Sequence, residues 1–279
     1  MKIRFVTPRA ELQPYIESFW VLESRTGLPA AGHSIAAPNG CPKLIIPYDN
    51  SIVSEADGRT QLTRAHRMNF VGNRDSATLI RTSPHRTGFI AIEFRPQGAF
   101  SIFGVPMSAT SNRLWETDDV FGPWSREVED RINNVDRVDE KVARIERELT
   151  VLVRKNRRES GLVNYCIGAL RSLDGRMAIR DLERETGYSR RYLDRLFQQH
   201  VGLSPKVLAE IFRFQRFYRK WAAGLSFDLL KAELYDHYYD QSHFTKEFQR
   251  MTGYPPQTFM RDVGNEFGRQ LVRRQPSPT

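Results

Sequence analysis

Short apolar runs separated by turn-forming residues follow one another through residues 1–122. Runs of this length between turns are typical of β-strands. A Pro-Asn-Gly sequence at 38–40 and an Asp-Gly sequence at 57–58 supply turns between them. The pattern therefore predicts a β-rich sandwich or barrel with a few short helices. The predicted strands are Lys43–Pro47, 69–72, 77–80 and 88–94, and one short helix is expected at 97–103.

After the Gly-Pro pair at 122–123, apolar residues recur three or four positions apart, which is the periodicity of an amphipathic helix. We therefore predict a helical linker over 123–160, divided into two helices near 133–134. One interpretation is a connector packed against its neighbours. The other is a dimerisation helix, because the apolar stripe spans about three and a half heptads. The connector is preferred. The stripe consists of Val128, Ile132, Val135, Val138, Val142, Ile145, Leu149 and Leu152.

The last third of the chain repeats itself at an offset of 51 residues. Aromatic, glycine and proline positions coincide at this one offset, which indicates two copies of one small helical unit. We therefore expect an all-α domain over 161–265, which makes the whole chain an α+β protein of two domains. The matched pairs are Tyr188 with Tyr239, Leu193 with Phe244, Arg195 with Lys246, Phe197 with Phe248, Gln198 with Gln249, Gly202 with Gly253 and Pro205 with Pro256.

The first copy has the features of a helix-turn-helix unit. Gly187 suits the sharp turn after a short helix at 178–186, and Ser189 is a good N-cap for the next helix at 190–200. An exposed basic helix face suits the major groove of DNA, where Arg pairs with guanine and Gln with adenine. The inner face consists of Leu193, Leu196 and Phe197, and the outward face of Arg190, Arg191, Asp194, Arg195 and Gln198.

A Ser-Pro pair at 204–205 starts a longer helix that extends to about Trp221. At ~1.5 Å per residue this helix spans about 26 Å, which suits a spacer between two reading units about one DNA turn (~34 Å) apart. The second copy begins near Ser226, and Asp240 can cap its second helix at 241–251. The outward residues of that helix are Gln241, Ser242, His243, Thr245 and Lys246.

The net charge of +9 is concentrated in the same region of the chain. Residues 157–279 contain 21 Lys and Arg against 14 Asp and Glu, whereas residues 1–156 contain 21 against 19. A local positive balance favours a polyanionic partner, because contacts to phosphates release counterions. Double-stranded DNA is therefore the partner that we expect.

Residues 177–260 resemble the DNA-binding domain of the AraC/XylS family of transcription regulators. The resemblance is carried by the motifs at 192–197, 202–205, 213–216 and 240–244, followed by Phe248, Gly253 and Pro256. In that family two recognition helices enter successive major grooves. The resemblance implies base contacts by Arg191, Asp194, Arg195, Gln241, Ser242, Thr245 and Lys246, and a phosphate contact by Arg190.

The second unit departs from the family pattern in its turn, where His237 and Tyr238 replace the usual Gly-Phe pair. A residue other than glycine at positive φ costs roughly 1 kcal/mol, so we expect a distorted turn or a helix that ends early. The first recognition helix is therefore expected to dominate sequence reading.

The segment at 94–105 resembles, more loosely, the N-terminal domain of some AraC-type regulators. That layout implies a small-molecule effector, a homodimer, or both, and contact with RNA polymerase is compatible with it. The stretch 59–86 holds six arginines and one acid, which suggests an anionic effector such as a nucleotide or cyclic dinucleotide. The alternative is an exposed basic strand face. The arginines are Arg59, Arg64, Arg67, Arg74, Arg81 and Arg86.

Other classes of protein find little support. We expect no signal peptide, no membrane contact, no cofactor and a cytoplasmic location, because long apolar runs and metal or disulfide motifs are absent from the sequence. His33, His66, His85 and Glu93 fit no common metal signature. The remaining alternative is an AraC-like domain fused to DNA repair or alkyl transfer, with Cys41 or Cys166 as the nucleophile. The polar segment 266–279 is expected to be a disordered tail.

Overall fold

The computed structural model describes residues 1–29, 34–156, 158, 161–225, 241–263 and 265–274. Ten strands lie in the first 116 residues and pair only antiparallel among the described residues. They are β1 (Lys2–Val6), β2 (Ile16–Ser24), β3 (Ile35–Ala36), β4 (Lys43–Pro47), β5 (Ile52–Ala56), β6 (Arg59–Thr63), β7 (Asn69–Val71), β8 (Thr78–Thr82), β9 (Thr87–Phe94) and β10 (Leu114–Glu116).

The strands form two sheets that face each other as a sandwich. One sheet has the order β1-β2-β9-β4-β7-β10 and the other the order β3-β8-β5-β6. The expected β-rich domain is therefore confirmed, as an open sandwich and not a closed barrel. Successive residues of β2 point to opposite faces of the larger sheet, as strand geometry requires. Phe19 and Val21 join a core with the helices, whereas Trp20 and Leu22 join a core with the smaller sheet.

Helices cover the outer face of the larger sheet. They are α1 (Gly98–Phe103), α2 (Thr117–Phe121), α3 (Pro123–Asn133) and α4 (Val138–Asn156), with a 3₁₀ turn at Met107–Ala109. The stripe residues Val128, Ile145 and Leu149 are buried in the core that also holds Phe19 and Val21. The segment predicted as a linker is thus a layer of the N-terminal domain. The connector interpretation agrees with this packing, whereas the dimerisation-helix interpretation is wrong because the chain itself covers the stripe.

The remaining helices build the C-terminal domain around α8. They are α5 (Gly161–Ser172), α6 (Ile179–Thr186), α7 (Arg190–His200), α8 (Pro205–Ala222), α9 (Gln241–Thr252), α10 (Pro256–Thr258) and α11 (Glu266–Arg274), with a π-helical turn at Phe259–Val263. The predicted caps are present, since Ser189 accepts a hydrogen bond from the Tyr192 amide and Ser204 from the Val207 amide. Gly187 has the left-handed φ of 72° that ends α6.

The segment from residue 266 corrects our expectation of a disordered tail, because Glu266–Arg274 is helical. Phe267 is fully buried in the core between the sheets, and Leu271 packs beside it. The Arg269 guanidinium lies 4.3 Å from the centre of the Trp221 ring. Only three apolar residues mark this helix in the sequence, and they gain their partners when the chain folds back onto the sandwich.

Some expectations lie outside the described residues. These are the first helix of the second unit, the turn at His237 and Tyr238, the Asp240 cap and the position of His33. The second recognition helix α9 itself is described and continues to Thr252. None of the described helices combines the length and the hydropathy needed to cross a membrane.

Candidate functional site

The recognition helix α7 has one buried face and one exposed basic face. Leu193 and Phe197 are fully buried in the C-terminal core, which fixes how the helix is rotated. The Arg190 amide donates to Glu183 Oε1 at 2.6 Å, so α6 supplies a second cap at the start of α7. The residues on the opposite side are Arg190, Arg191, Arg195 and Gln198, which are exposed, and Asp194, which is half-buried.

An aromatic stack that we did not predict lies along this exposed face. The rings of Tyr188 and Tyr192 stack at 4.8 Å, and the Arg195 guanidinium lies 5.4 Å from the centre of the Tyr192 ring. Tyr188 is 45% exposed although it is a large aromatic residue. The stack restricts the rotamers of Arg195, because a cation is attracted to the face of an aromatic ring. The i, i+4 and i, i+3 spacing of these residues was the signal in the sequence.

The recognition helix α9 presents a less basic face. Phe244 and Phe248 are buried against α8, where both rings lie 5.5 Å from the ring of Phe217. Thr245 donates its hydroxyl to the Gln241 carbonyl at 2.8 Å, so this side chain is directed back along the helix. The exposed residues are Gln241, Ser242, His243 and Lys246. The face thus carries one full positive charge, against three arginines on α7.

Two ion pairs attach α9 to α8. Arg213 contacts Glu247 at 2.8 Å, and Arg250 contacts Glu210 at 2.6 Å. Glu247 is almost fully buried, and Arg213 supplies an opposite charge beside it. The second recognition helix is therefore held to the spacer helix by charge as well as by aromatic packing.

The six arginines of the proposed anion site do not form one cluster. Four of them pair with carboxylates of the N-terminal domain. Arg64 is exposed, whereas Arg59 and Arg74 share a groove with Arg113. Neighbours in sequence are separated here because β6, β7 and β8 lie in two different sheets. The pairs are Arg67 with Glu129, Arg74 with Asp57, Arg81 with Glu55 and Arg86 with Asp49.

A cavity of about 130 Å³ lies between the two sheets. Its walls are mostly apolar, and the C-terminal domain closes part of it through α8 and α11. Gln215 of α8 donates to the Pro38 carbonyl at 2.6 Å in the same wall. The apolar lining consists of Trp20, Ile35, Ile45, Ile52, Ile80, Phe89, Tyr218, Phe267 and Leu271, among others. The sequence did not reveal the cavity because segments that are distant in sequence build it.

The cavity adjoins the arginine groove. Ala56, Gln61, Arg74 and Leu114 line both spaces. Burial lowers the pKa of Arg74, and the nearby Asp57 opposes that shift. Within the described part of the chain, the buried atoms Arg74 Nε, Asn73 Oδ1 and Thr78 Oγ1 have no hydrogen-bond partner. Unpartnered buried polar atoms are uncommon in proteins, and these three belong to residues that line the cavity.

Glu93 lies in the cavity wall. Burial raises the pKa of its carboxyl group, and Asn39 donates to Glu93 Oε1 at 2.6 Å. Lys43 donates to Asn39 Oδ1 at 2.9 Å, so the three side chains form a chain of contacts. In the part of the chain that is described, no group of three or more His, Cys, Asp or Glu residues could hold a metal ion.

The two cysteines are poor nucleophiles in this structure. Cys41 and Cys166 are both buried. Burial raises the pKa of the Cys41 thiol well above its usual value and that of Cys166 to about 11. A transferring cysteine needs a thiolate, so this environment argues against the alkyl-transfer alternative.

Two regions of the chain match known protein families. Residues 182–262 match a family described as a helix-turn-helix domain, and residues 4–116 match a domain of unknown function, DUF6597. No curated protein gave a significant sequence match.

Among solved structures, apo ToxT K231A from Vibrio cholerae is similar at 12% identity, with 87% of this chain and 96% of that chain covered and a TM-score of 0.48. ToxT with an unsaturated fatty acid bound is similar at 13% identity, covering 86% and 94%, with a TM-score of 0.45. A cupin domain of an XRE family transcriptional regulator from Enterobacter cloacae shares 14% identity over 33% of this chain and 93% of that chain, with a TM-score of 0.27.

A β-sandwich joined to a helix-turn-helix domain with an exposed arginine face defines this chain as a DNA-binding transcription regulator. Its helix-turn-helix domain is of the AraC type, which confirms the resemblance found over residues 177–260.

Proposed function

We propose that the chain is a sequence-specific regulator in which α7 and α9 read successive major grooves and a ligand of the N-terminal domain controls binding. The exposed face of α7 carries the DNA part of this proposal. Arg191 and Arg195 have the donor geometry for guanine, and Gln198 has that for adenine. Asp194 can accept from cytosine, and Arg190 at the helix start suits a phosphate.

On α9, the exposed side chains of Gln241, Ser242 and Lys246 supply the polar groups for a second groove. We expect smaller contributions from His243 and Thr245, since the Thr245 hydroxyl already bonds within the helix. Base contacts by this helix therefore specify less than those of α7.

Selection of binding sites from random duplexes, followed by footprinting, tests the DNA part. We expect one enriched motif and protection over two neighbouring turns of one DNA face. Selection without enrichment would overturn the proposal of sequence-specific reading. The variants R191A, R195A and K246A then assign the base positions to each helix.

For the ligand, the observations favour an amphipathic anion. The apolar cavity suits a hydrocarbon or aromatic body, and Arg59, Arg74 and Arg113 in the adjoining groove suit a carboxylate or phosphate. The effector proposed here is an anion, as predicted from the sequence, but its site includes only Arg59 and Arg74 of the six predicted arginines. A nucleotide remains the second candidate, because the indole of Trp115 lines the same groove and can stack on a base.

Calorimetry with octanoate, 1-octanol, AMP and cyclic di-GMP tests the ligand class. We expect octanoate to bind at micromolar concentration and octanol at least about tenfold more weakly. S54F should block the cavity, and R113Q should weaken octanoate, because Ser54 and Arg113 lie in the two walls. Equal binding of octanoate and octanol would exclude an anion site. Binding by none of the four would overturn control by such ligands.

We also propose that the regulator acts as a homodimer. The apolar stripe of α3 and α4 is buried within the chain, so the contact must use another surface. Sedimentation velocity on the free protein and on its DNA complex measures the stoichiometry. A free protein that sediments as one chain at micromolar concentration would contradict the dimer, whereas one chain per two-turn site is expected because α7 and α9 of one chain each read one groove.

A further inference from the structure

The carboxyl end of α7 is held by the N-terminal domain. The last carbonyl groups of a helix have no partner within the helix and need donors from elsewhere. Here the Val201 carbonyl accepts from Asn73 Nδ2 at 2.8 Å, and the Gly202 carbonyl accepts from Ser111 Oγ at 2.6 Å. The ring of His200 also lies 4.0 Å from that of Phe100 of α1. These donors and this ring all belong to the other domain.

The carboxyl end of α9 is held by the chain segment that contains Asn73. The Arg250 carbonyl in its last turn accepts from the Ala77 amide at 3.1 Å. Ala77 also packs against the core of the C-terminal domain. Residues 72–77, which connect β7 to β8 and which we call the strap, therefore contact both recognition helices at equivalent places.

The strap is anchored on its other side to the sandwich. The Gly72 amide donates to the Arg113 carbonyl at 3.1 Å, and the Asn112 amide donates to the Asn73 carbonyl at 2.9 Å. A Cβ at Gly72 would lie 2.1 Å from the Thr110 carbonyl oxygen, so only glycine allows this approach. The strap thus has a fixed geometry at its amino end.

The strap also forms part of the cavity wall, through Gly72, Asn73, Arg74 and Ser76. The Asn73 side chain connects the two functions directly. Its amide nitrogen holds α7, whereas its Oδ1 atom is buried and has no partner among the described residues. A ligand group that bonds to Oδ1 or displaces Arg74 must therefore act on the support of the recognition helices.

We propose that the strap sets the relative position of the two recognition helices, with Asn73 as a positioning residue for DNA reading, and that it transmits occupancy of the cavity to them. The second half of this statement rests on the ligand part of the proposed function. The first half concerns the free protein and does not depend on any ligand.

Spin labels on α7 and α9 test the positioning role. Cysteines introduced by Q199C and Q249C are exposed, whereas the native cysteines are buried. We expect a narrow distance distribution between the labels in the parent protein and a broad one in N73A. The control is D75A, which changes the same strap at a residue outside the cavity lining and keeps the bond from the Asp75 amide to Asn112 Oδ1, and it should match the parent.

DNA binding gives the second readout. N73A should lower affinity for the selected site by roughly tenfold and lose protection over one turn first, whereas D75A should leave both unchanged. S111A removes the other side-chain donor to α7 and serves if N73A fails to fold. An unchanged distance distribution in N73A, or in S111A in its place, would overturn the positioning role.

Octanoate is the probe that tests whether the strap transmits occupancy of the cavity to the recognition helices. We expect it to shift the label distance in the parent protein and in D75A, and not in N73A, although all three bind it. A shift of parental size in N73A would overturn transmission through Asn73. Failure of all three proteins to bind octanoate would overturn the ligand proposal alone, since the ligand-free distances already decide positioning.

Discussion

The two recognition helices occupy equivalent places in a repeat but are built differently. Helix α7 is capped at its start by Ser189 and Glu183, and it exposes three arginines. Helix α9 exposes one lysine and is held to the spacer helix by the pairs of Glu247 and Glu210. The charged groups of α7 thus lie on its exposed reading face, whereas those of α9 mainly attach this helix to α8. Two repeated units of one fold can therefore serve different tasks.

The largest effect is expected at the attachment of α9. Glu247→Ala removes the carboxylate that contacts Arg213 at a mostly buried position, which should cost about 3–5 kcal/mol of unfolding free energy. Chemical denaturation measures this cost. The double variant R213M/E247L should recover most of the loss, because apolar residues of similar volume replace the pair. If E247A unfolded like the parent, α9 would not depend on this pair.

The next effect concerns reading by α7. Arg195→Ala should cost roughly 1–3 kcal/mol of binding free energy at the selected site and relax the preference at one base position. Fluorescence anisotropy with the selected duplex and its single-base variants measures both. The matched change on α9 is K246A. If K246A cost as much specificity as R195A, the division of tasks between the helices would be refuted.

A smaller effect is expected at the cap of α7. Ser189→Ala removes the side-chain acceptor of the Tyr192 amide, which should cost about 1 kcal/mol of stability. Thermal unfolding measures the change, and S189D should restore most of it. Ser204→Ala at the start of α8 provides a comparison cap of the same kind. A loss confined to S204A would place the stability of this unit in the spacer helix.

The smallest effect concerns the contact between the carboxyl end of α7 and the N-terminal domain, which should make stability depend on pH. Burial lowers the pKa of His200, which lies against Phe100 at the end of α7. The unfolded chain therefore binds a proton more readily, so stability should fall as the pH drops below about 6.5. Unfolding between pH 5 and 8 measures the slope, and H200F should reduce it. An unchanged slope in H200F would assign the dependence to other groups.

Local signals in the sequence predicted local structure well. The bounds of β4 and α7 agree with the prediction, and the Ser189 and Ser204 caps are present. Caps, turn glycines and apolar periodicity act over a few residues, so one segment contains all the information. The basic face of α7 was predicted for the same reason, although its base contacts remain predictions.

Features that join distant segments could not be predicted. Helix α11 becomes stable because Phe267 packs between the sheets, and a short polar segment gives no sign of that. The arginines of 59–86 are close in sequence, but two sheets separate them. The strap was predicted only as a strand end, since its partners at Val201 and Arg250 lie more than a hundred residues away.

The hydrogen bonds of Asn265 have a consequence for how separable the two domains are. Its side chain pairs with both backbone groups of Ile35, at 2.9 and 3.0 Å, and with the Tyr218 hydroxyl at 2.6 Å. The amide thus substitutes for a neighbouring strand beside β3 and connects it to α8. A fragment cut after residue 156 would lose part of the wall of the cavity between the sheets, because Phe267 and Leu271 line it. Exchange of the N-terminal domain between regulators of this design must therefore carry residues 265–274 along with residues 1–156.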